Sequence, residues 1–152
     1  MKSMFFEDFR VGDRFGTAGV TLTEAQIIDF ALMYDPQPFH VDAVAAANGP
    51  FGGLIASGWH VCSRVMRQFV DEAYFGQTPL LGMNVDALWW VRPVRPGDTL
   101  TVRREIIEIR PSKSQPDRGV VRTKTTVTNQ DGDLAMSFEN QMQLPRNAEA
   151  RL

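Results

Sequence analysis

The chain contains two histidines, His40 and His60, so imidazole acid-base chemistry must run through one of them. His40 is the better placed. It lies in the run Asp35-Pro36-Gln37-Pro38-Phe39-His40-Val41-Asp42, where two prolines stiffen the backbone between two titratable side chains and favour a preset geometry. A carboxylate and an imidazole converging on one water can orient it, take its proton and return a proton to carbon. Hydration across a conjugated double bond requires those transfers. The same run also fits a helix-ending turn with a surface histidine, and on these residues alone both readings stand.

Other candidates read more readily as structure. His60, just inside a helix, could line a pocket but fits a buried or interfacial histidine bonded to backbone. Asp42 reads as the cap of an Ala43 to Ala47 turn rather than a metal partner of His40, because two histidines and one cysteine offer few further ligands. Cys62 lies on an apolar helix stripe and reads as packing. Trp89 and Trp90 point to opposite faces of a strand, one toward the core or a ligand pocket and the other toward an interface. Arg64 and Arg67 sit on a polar helix side, where they could meet a phosphate or remain solvated.

These residues need elements to hold them. Thr23 and Gln26 form a capping box ahead of Ile27, Ile28, Ala31 and Leu32, so a helix of about three turns runs to Met33 or Tyr34. Asp35-Pro36-Gln37-Pro38 ends it and predicts a rigid, extended link. Val41 to Ala47 suits a short helix, and Asn48 to Gly53 a loop. Ser57-Gly58 opens a second helix, with Val61, Cys62, Val65, Met66, Phe69, Val70 and Ala73 at helical spacing and Gly76 as its stop. The period then changes to two over Met83 to Val91. Further strands are expected over Thr99 to Arg110, Val120 to Asn129 and Asp133 to Leu144, the last two joined at Asp131-Gly132. Asp13 to Leu22 reads as weak β. The sum is an α+β chain with an antiparallel sheet wrapped around a central helix.

At 152 residues and 43% hydrophobic content the chain suits one core, expected over residues 1–145 with a frayed tail at 146–152. A net charge of -2 supplies no nucleic-acid footprint. Acidic residues interrupt the N-terminal segment, and no stretch approaches membrane-spanning length, so a cytoplasmic protein is expected.

The run Asp35-Pro36-Gln37-Pro38-Phe39-His40-Val41-Asp42 resembles the Asp-x-Asn-Pro-x-His-x-Asp signature of MaoC-like dehydratases and (R)-specific enoyl-CoA hydratases. Gly53-Leu54-Ile55-Ala56-Ser57-Gly58-Trp59-His60 and Pro93-Val94-Arg95-Pro96-Gly97-Asp98 resemble two further segments of that family, so the likeness extends over most of the chain. It implies a hot-dog fold and an enoyl-CoA hydratase or 3-hydroxyacyl-CoA dehydratase, with Asp35 and His40 as the catalytic dyad and the Gly58 N–H as oxyanion donor. Gly58 suits that part, since a glycine at a helix start admits close approach and its unpaired N–H adds to the helix dipole. Ser57, Trp59 and Phe51 are expected to bind substrate. No metal or redox cofactor is required. An acyl-CoA thioester is the expected partner, and the family resemblance with an apolar β surface points to a homodimer or higher homo-oligomer. Gln37 replaces the family's Asn, which predicts rearranged hydrogen bonding beside the pair. Met66 stands where some relatives carry a serine. A hot-dog thioesterase would ordinarily carry a carboxylate on the central helix, and here the helix's acids lie only near its end. A non-catalytic acyl-CoA binding module is the remaining alternative.

Overall fold

A computed structural model of the protein describes residues 3–79 and 81–147. Thr23 Oγ1 accepts from Gln26 N at 3.2 Å and Gln26 Oε1 from Thr23 N at 3.1 Å, which starts helix α1, Glu24–Tyr34. Ile27 and Ala31 are its buried face. The link beyond it is shorter than the extended one expected from Asp35-Pro36-Gln37-Pro38, and the short helix expected from Val41 is preceded by another. Only the stretch as far as Gln37 stays non-helical. Pro38 then opens a short helix α2, Pro38–Val41, because proline is tolerated at a helix's first position, where the missing N–H has no intrahelical partner. Asp42 ends α2 and caps the next helix α3, Ala43–Ala47, its Oδ1 accepting from Val44 N and Ala45 N at 2.9 Å each.

The central helix α4, Gly58–Asp71, is N-capped by Ser57. It stops short of Gly76. Ala73 takes a left-handed φ of 50° and Gly76 one of 60°, so the chain turns early and buries Phe75 beside Phe69.

Six strands make the sheet: β1 Arg14–Gly16, β2 Val20–Thr21, β3 Leu81–Trp90, β4 Thr99–Pro111, β5 Arg118–Thr128 and β6 Leu134–Pro145. All pair antiparallel in the order β1-β4-β5-β6-β3, with β2 also on β4. The weak N-terminal β segment is thus two short strands on one neighbour. Between β5 and β6 Gly132 has φ 80°, a conformation that costs glycine little, and Asn129 Oδ1 accepts from Asp131 N and Asp133 N at 3.0 Å each.

Leu100 and Val102 on β4, Val127 on β5 and Met136 on β6 are buried with Val61 and Val65 of α4. A second cluster joins Phe69 to Ile106, Val121, Met142 and Leu144. Each such side chain contributes about 1.5–3 kcal/mol on burial. A sheet wrapped around a central helix is the hot-dog α+β architecture that the sequence predicts.

Strand β3 is irregular. Its register against β6 shifts between Gly82 and Asn84 and between Asp86 and Trp89, with Ala87 at φ 49°, and such bulges bend a strand and re-aim its side chains. Its outer edge pairs with no strand among the described residues. At the C-terminal end, Arg146 Nε lies 2.8 Å from Glu7 Oε1 and Asn147 N donates to Glu7 Oε2 at 2.9 Å. The first two residues of the segment expected to fray are therefore held, and 148–152 lie outside the described residues. Among those described, no helix is long and apolar enough to cross a membrane.

Candidate active site

Three helix ends meet at one point. Asp35 is the C-cap of α1, His40 lies within α2, and Ser57 caps α4. His40 is 4% exposed, and its Nδ1 sits 2.7 Å from the carbonyl oxygen of Ile55. A carbonyl only accepts, so Nδ1 carries a hydrogen and Nε2 is the working nitrogen. Nε2 faces Asp35 Oδ2 at 3.3 Å. The Ile55 N–H in turn donates to Phe39 O at 3.1 Å, so the segment that orients the ring is tied to α2 itself.

The Asp35 carboxylate is held from both sides. Gln37 Nε2 donates to Oδ1 and Ser57 Oγ to Oδ2, each at 2.7 Å. These two donors, Gln37 first, with the nearby His40, keep the carboxyl below its ordinary pKa although burial pushes the other way. Gln37 in place of the family's asparagine therefore makes a direct bond to Asp35.

A cavity of about 410 Å³ opens over the pair, bounded by Asp35, His40, Phe51, Gly58, Trp59 and Trp90. Gly58 is the first residue of α4, so its N–H has no carbonyl partner within the helix. The indole of Trp90 lies directly over it. A Cβ at Gly58 would stand 2.3 Å from Trp90 Cε2, so only glycine fits beneath that ring. Trp59 meets Trp90 edge-on at 5.2 Å between centroids, and Phe51 packs edge-on against Phe39. Ser57 is different. Expected at the substrate, it is fully buried, its hydroxyl donating to Asp35 while accepting from Trp59 N at 3.3 Å.

The sequence model of the MaoC like domain matches residues 8–129. The chain belongs to the MaoC-like domain family. A MaoC-like dehydratase from Rhodospirillum rubrum has a similar structure, with TM-score 0.85 and 40% identity over 95% of this chain and 99% of that one. The unliganded R-hydratase PhaJ1 of Pseudomonas aeruginosa is similar at TM-score 0.77 and 26% identity, over 95% of this chain and 88% of the other. Protein MaoC of Klebsiella aerogenes is 36% identical over 101 residues, which are 65% of this chain and 29% of that protein.

The remaining candidates of this MaoC-like domain lie apart from the pair. His60 is buried and stacked on Phe30 at 4.7 Å. Its Nδ1 has no hydrogen-bond partner among the described residues, contrary to the backbone bond expected, and burial lowers its pKa. Cys62 is half-buried, its Sγ 3.6 Å from Met136 Sδ, and burial raises its pKa. Arg67 pairs with Asp71 at 2.8 Å on the surface. Both tryptophans are exposed, and of the two it is Trp90 that lines the cavity. Sequence reading missed three features of the MaoC-like domain: the Ile55 carbonyl, the service of Ser57 to Asp35, and Trp90 over Gly58. The helix start at Ser57 and the expectation that one of Trp89 and Trp90 turns inward were the signals visible beforehand.

Proposed function

We propose that this MaoC-like domain adds water across the 2,3-bond of a trans-2-enoyl-CoA, or removes it from the 3-hydroxyacyl-CoA. The observation that carries the reading is the Asp35 and His40 pair, with the working Nε2 and a carboxylate held by Gln37 and Ser57 both at the cavity wall. Water bound at the pair attacks C3 and gives up one proton to it. The pair delivers a proton to C2, so one water is consumed and the dyad is restored. Charge gathers on the thioester oxygen as C3 is attacked, and the Gly58 N–H at the head of α4 stabilises it. Ser57 and Gln37 act through Asp35 as positioning residues, while Trp59 and Phe51 line the substrate's path.

The unpaired edge of β3 supports a homodimer. Leu81, Met83, Val85 and Trp89 are exposed along it, and a long apolar edge strand invites pairing. A second copy about a two-fold axis would continue the sheet and cover this face.

Crotonyl-CoA tests the chemistry. Loss of the conjugated absorbance without free thiol is expected. Thiol release would instead mean thioester hydrolysis, and binding with neither signal would mean a non-catalytic acyl-CoA module. Either outcome overturns the proposal.

A further inference from the structure

On the inward face of β4 the residues run Leu100, Val102, Arg104, Ile106, all buried. Arg104 places a cation where its neighbours are aliphatic, and it is only 4% exposed. Its Nε donates to Thr125 Oγ1 at 3.0 Å, and its guanidinium lies 3.7 Å from the ring centroid of Phe69. No carboxylate among the described residues forms an ion pair with it. Burying a charge without a counter-charge is costly, and desolvation lowers this arginine's pKa to about 10, which leaves it charged at neutral pH.

Arg104 belongs to a polar stripe between the two core clusters. Thr125 and Thr123 on β5 are fully buried, and Thr123 Oγ1 donates to Asn140 Oδ1 at 2.8 Å, which leaves the Asn140 amide N–H groups to donate elsewhere. Arg104 and Asn140 both line a cavity of about 600 Å³ between α4 and β3, whose walls include Cys62, Val65, Leu88 and Phe138. Trp59 borders this cavity and the one over Asp35 and His40. The second space therefore has apolar walls and a floor of hydrogen-bond donors, and begins at the tryptophan beside the reactive end. From Gly58 to Met66, which also lines it, is about 12 Å along α4, the span of a medium-length acyl chain.

We propose that this cavity takes the acyl chain and that Arg104, with Asn140, binds a carboxylate at its far end, so that the substrate is the CoA thioester of a medium-chain dicarboxylic acid. The proposal rests on the hydratase reading for the chemistry at the thioester end. The substrate carboxylate supplies the counter-charge to Arg104 that the fold omits, and Val65, Leu88 and Phe138 cover the methylenes between.

The test separates the two readings by using unreactive probes. Calorimetric titration compares a saturated medium-chain acyl-CoA with its ω-carboxy and ω-hydroxy counterparts, so CoA contributes equally to all three. The wild type should bind the ω-carboxy compound about 10- to 100-fold tighter than the plain one, the scale of a hydrogen bond to a charged group. Arg104→Met, of similar length and apolar, should abolish that preference, and Arg104→Lys should keep part of it. Equal binding of plain and ω-carboxy probes by the wild type overturns the proposal, as does equally tight ω-hydroxy binding or a preference that survives Arg104→Met. The wild-type comparison decides even if a variant does not fold. Selective binding without hydration of the matching ω-carboxy enoyl-CoA would sink the hydratase reading and leave the carboxylate site standing.

Discussion

Replacing Ser57 by alanine removes one hydroxyl with two partners, the Asp35 carboxylate at 2.7 Å and the Trp59 N–H at 3.3 Å. Ser57 is fully buried, so no bulk water takes its place. Losing a hydrogen bond to a charged group costs about 1.5–3 kcal/mol. Losing an N-cap costs about 1 kcal/mol, and less here because the contact is long. Together Ser57→Ala should lower stability at pH 7 by about 2–3 kcal/mol, seen as a urea midpoint about 1–2 M lower. The pH dependence has a definite sign. Asp35 is depressed in the folded state, so its contribution is present above its unfolded pKa of about 3.9 and is lost as pH falls through the lower folded value. The gap between variant and wild type should therefore narrow on acidification below about pH 4. Turnover should fall about 10- to 100-fold, since the carboxylate loses one of its two fixed donors, and the acid limb of the pH-rate profile should move to higher pH. Urea titrations at several pH values and crotonyl-CoA hydration across the same range give both results. A cost under about 0.5 kcal/mol, or a gap of constant size down to acid pH, refutes the assignment of Ser57 to Asp35.

Asp35→Asn and His40→Gln should each fold and lose most turnover, with the double variant little worse than either, because the two act as a unit; near-normal turnover in a folded single variant contradicts the dyad. Trp90 covers Gly58 so closely that even Gly58→Ala collides with it, so the oxyanion test belongs in a Trp90→Ala background. There Gly58→Pro should turn over about 10²- to 10³-fold more slowly than Gly58→Ala, and equal rates would move the oxyanion donor elsewhere. Val85→Lys, on the open edge of β3, should give a monomer by light scattering under conditions in which the wild type should give a dimer, whereas a wild-type monomer that is active at low micromolar concentration rules out the dimer proposal.

Much of this protein is legible from local pattern. The capping box at Thr23, the proline-rich stop at Asp35, the cap at Asp42 and the Asp131-Gly132 turn are short-range devices whose partners lie within a few residues, so sequence spacing is enough to read them. The same holds for the inward apolar alternation of β4 to β6 and for the stripe on α4, which together imply a sheet around a helix. The family signature adds the pair Asp35 and His40.

What spacing leaves open depends on contacts between distant segments. Ser57 reaches Asp35 across 22 positions and Ile55 orients His40 across 15, and no periodicity encodes either. The early end of α4 follows from Ala73 turning left-handed so that Phe75 can pack, a tertiary preference overriding the helical spacing of Ala73. Trp90 faces the cavity because of the irregularity between Asp86 and Trp89, which breaks the simple alternation of a strand. Arg104 shows the limit from the other side. A charge at an inward position of β4 is visible as a break in Leu100, Val102, Ile106. Whether it meets a carboxylate, solvent or an empty cavity depends on what α4 and β6 bring against it, because a buried charge is stabilised by what surrounds it in space and not by its neighbours in the chain.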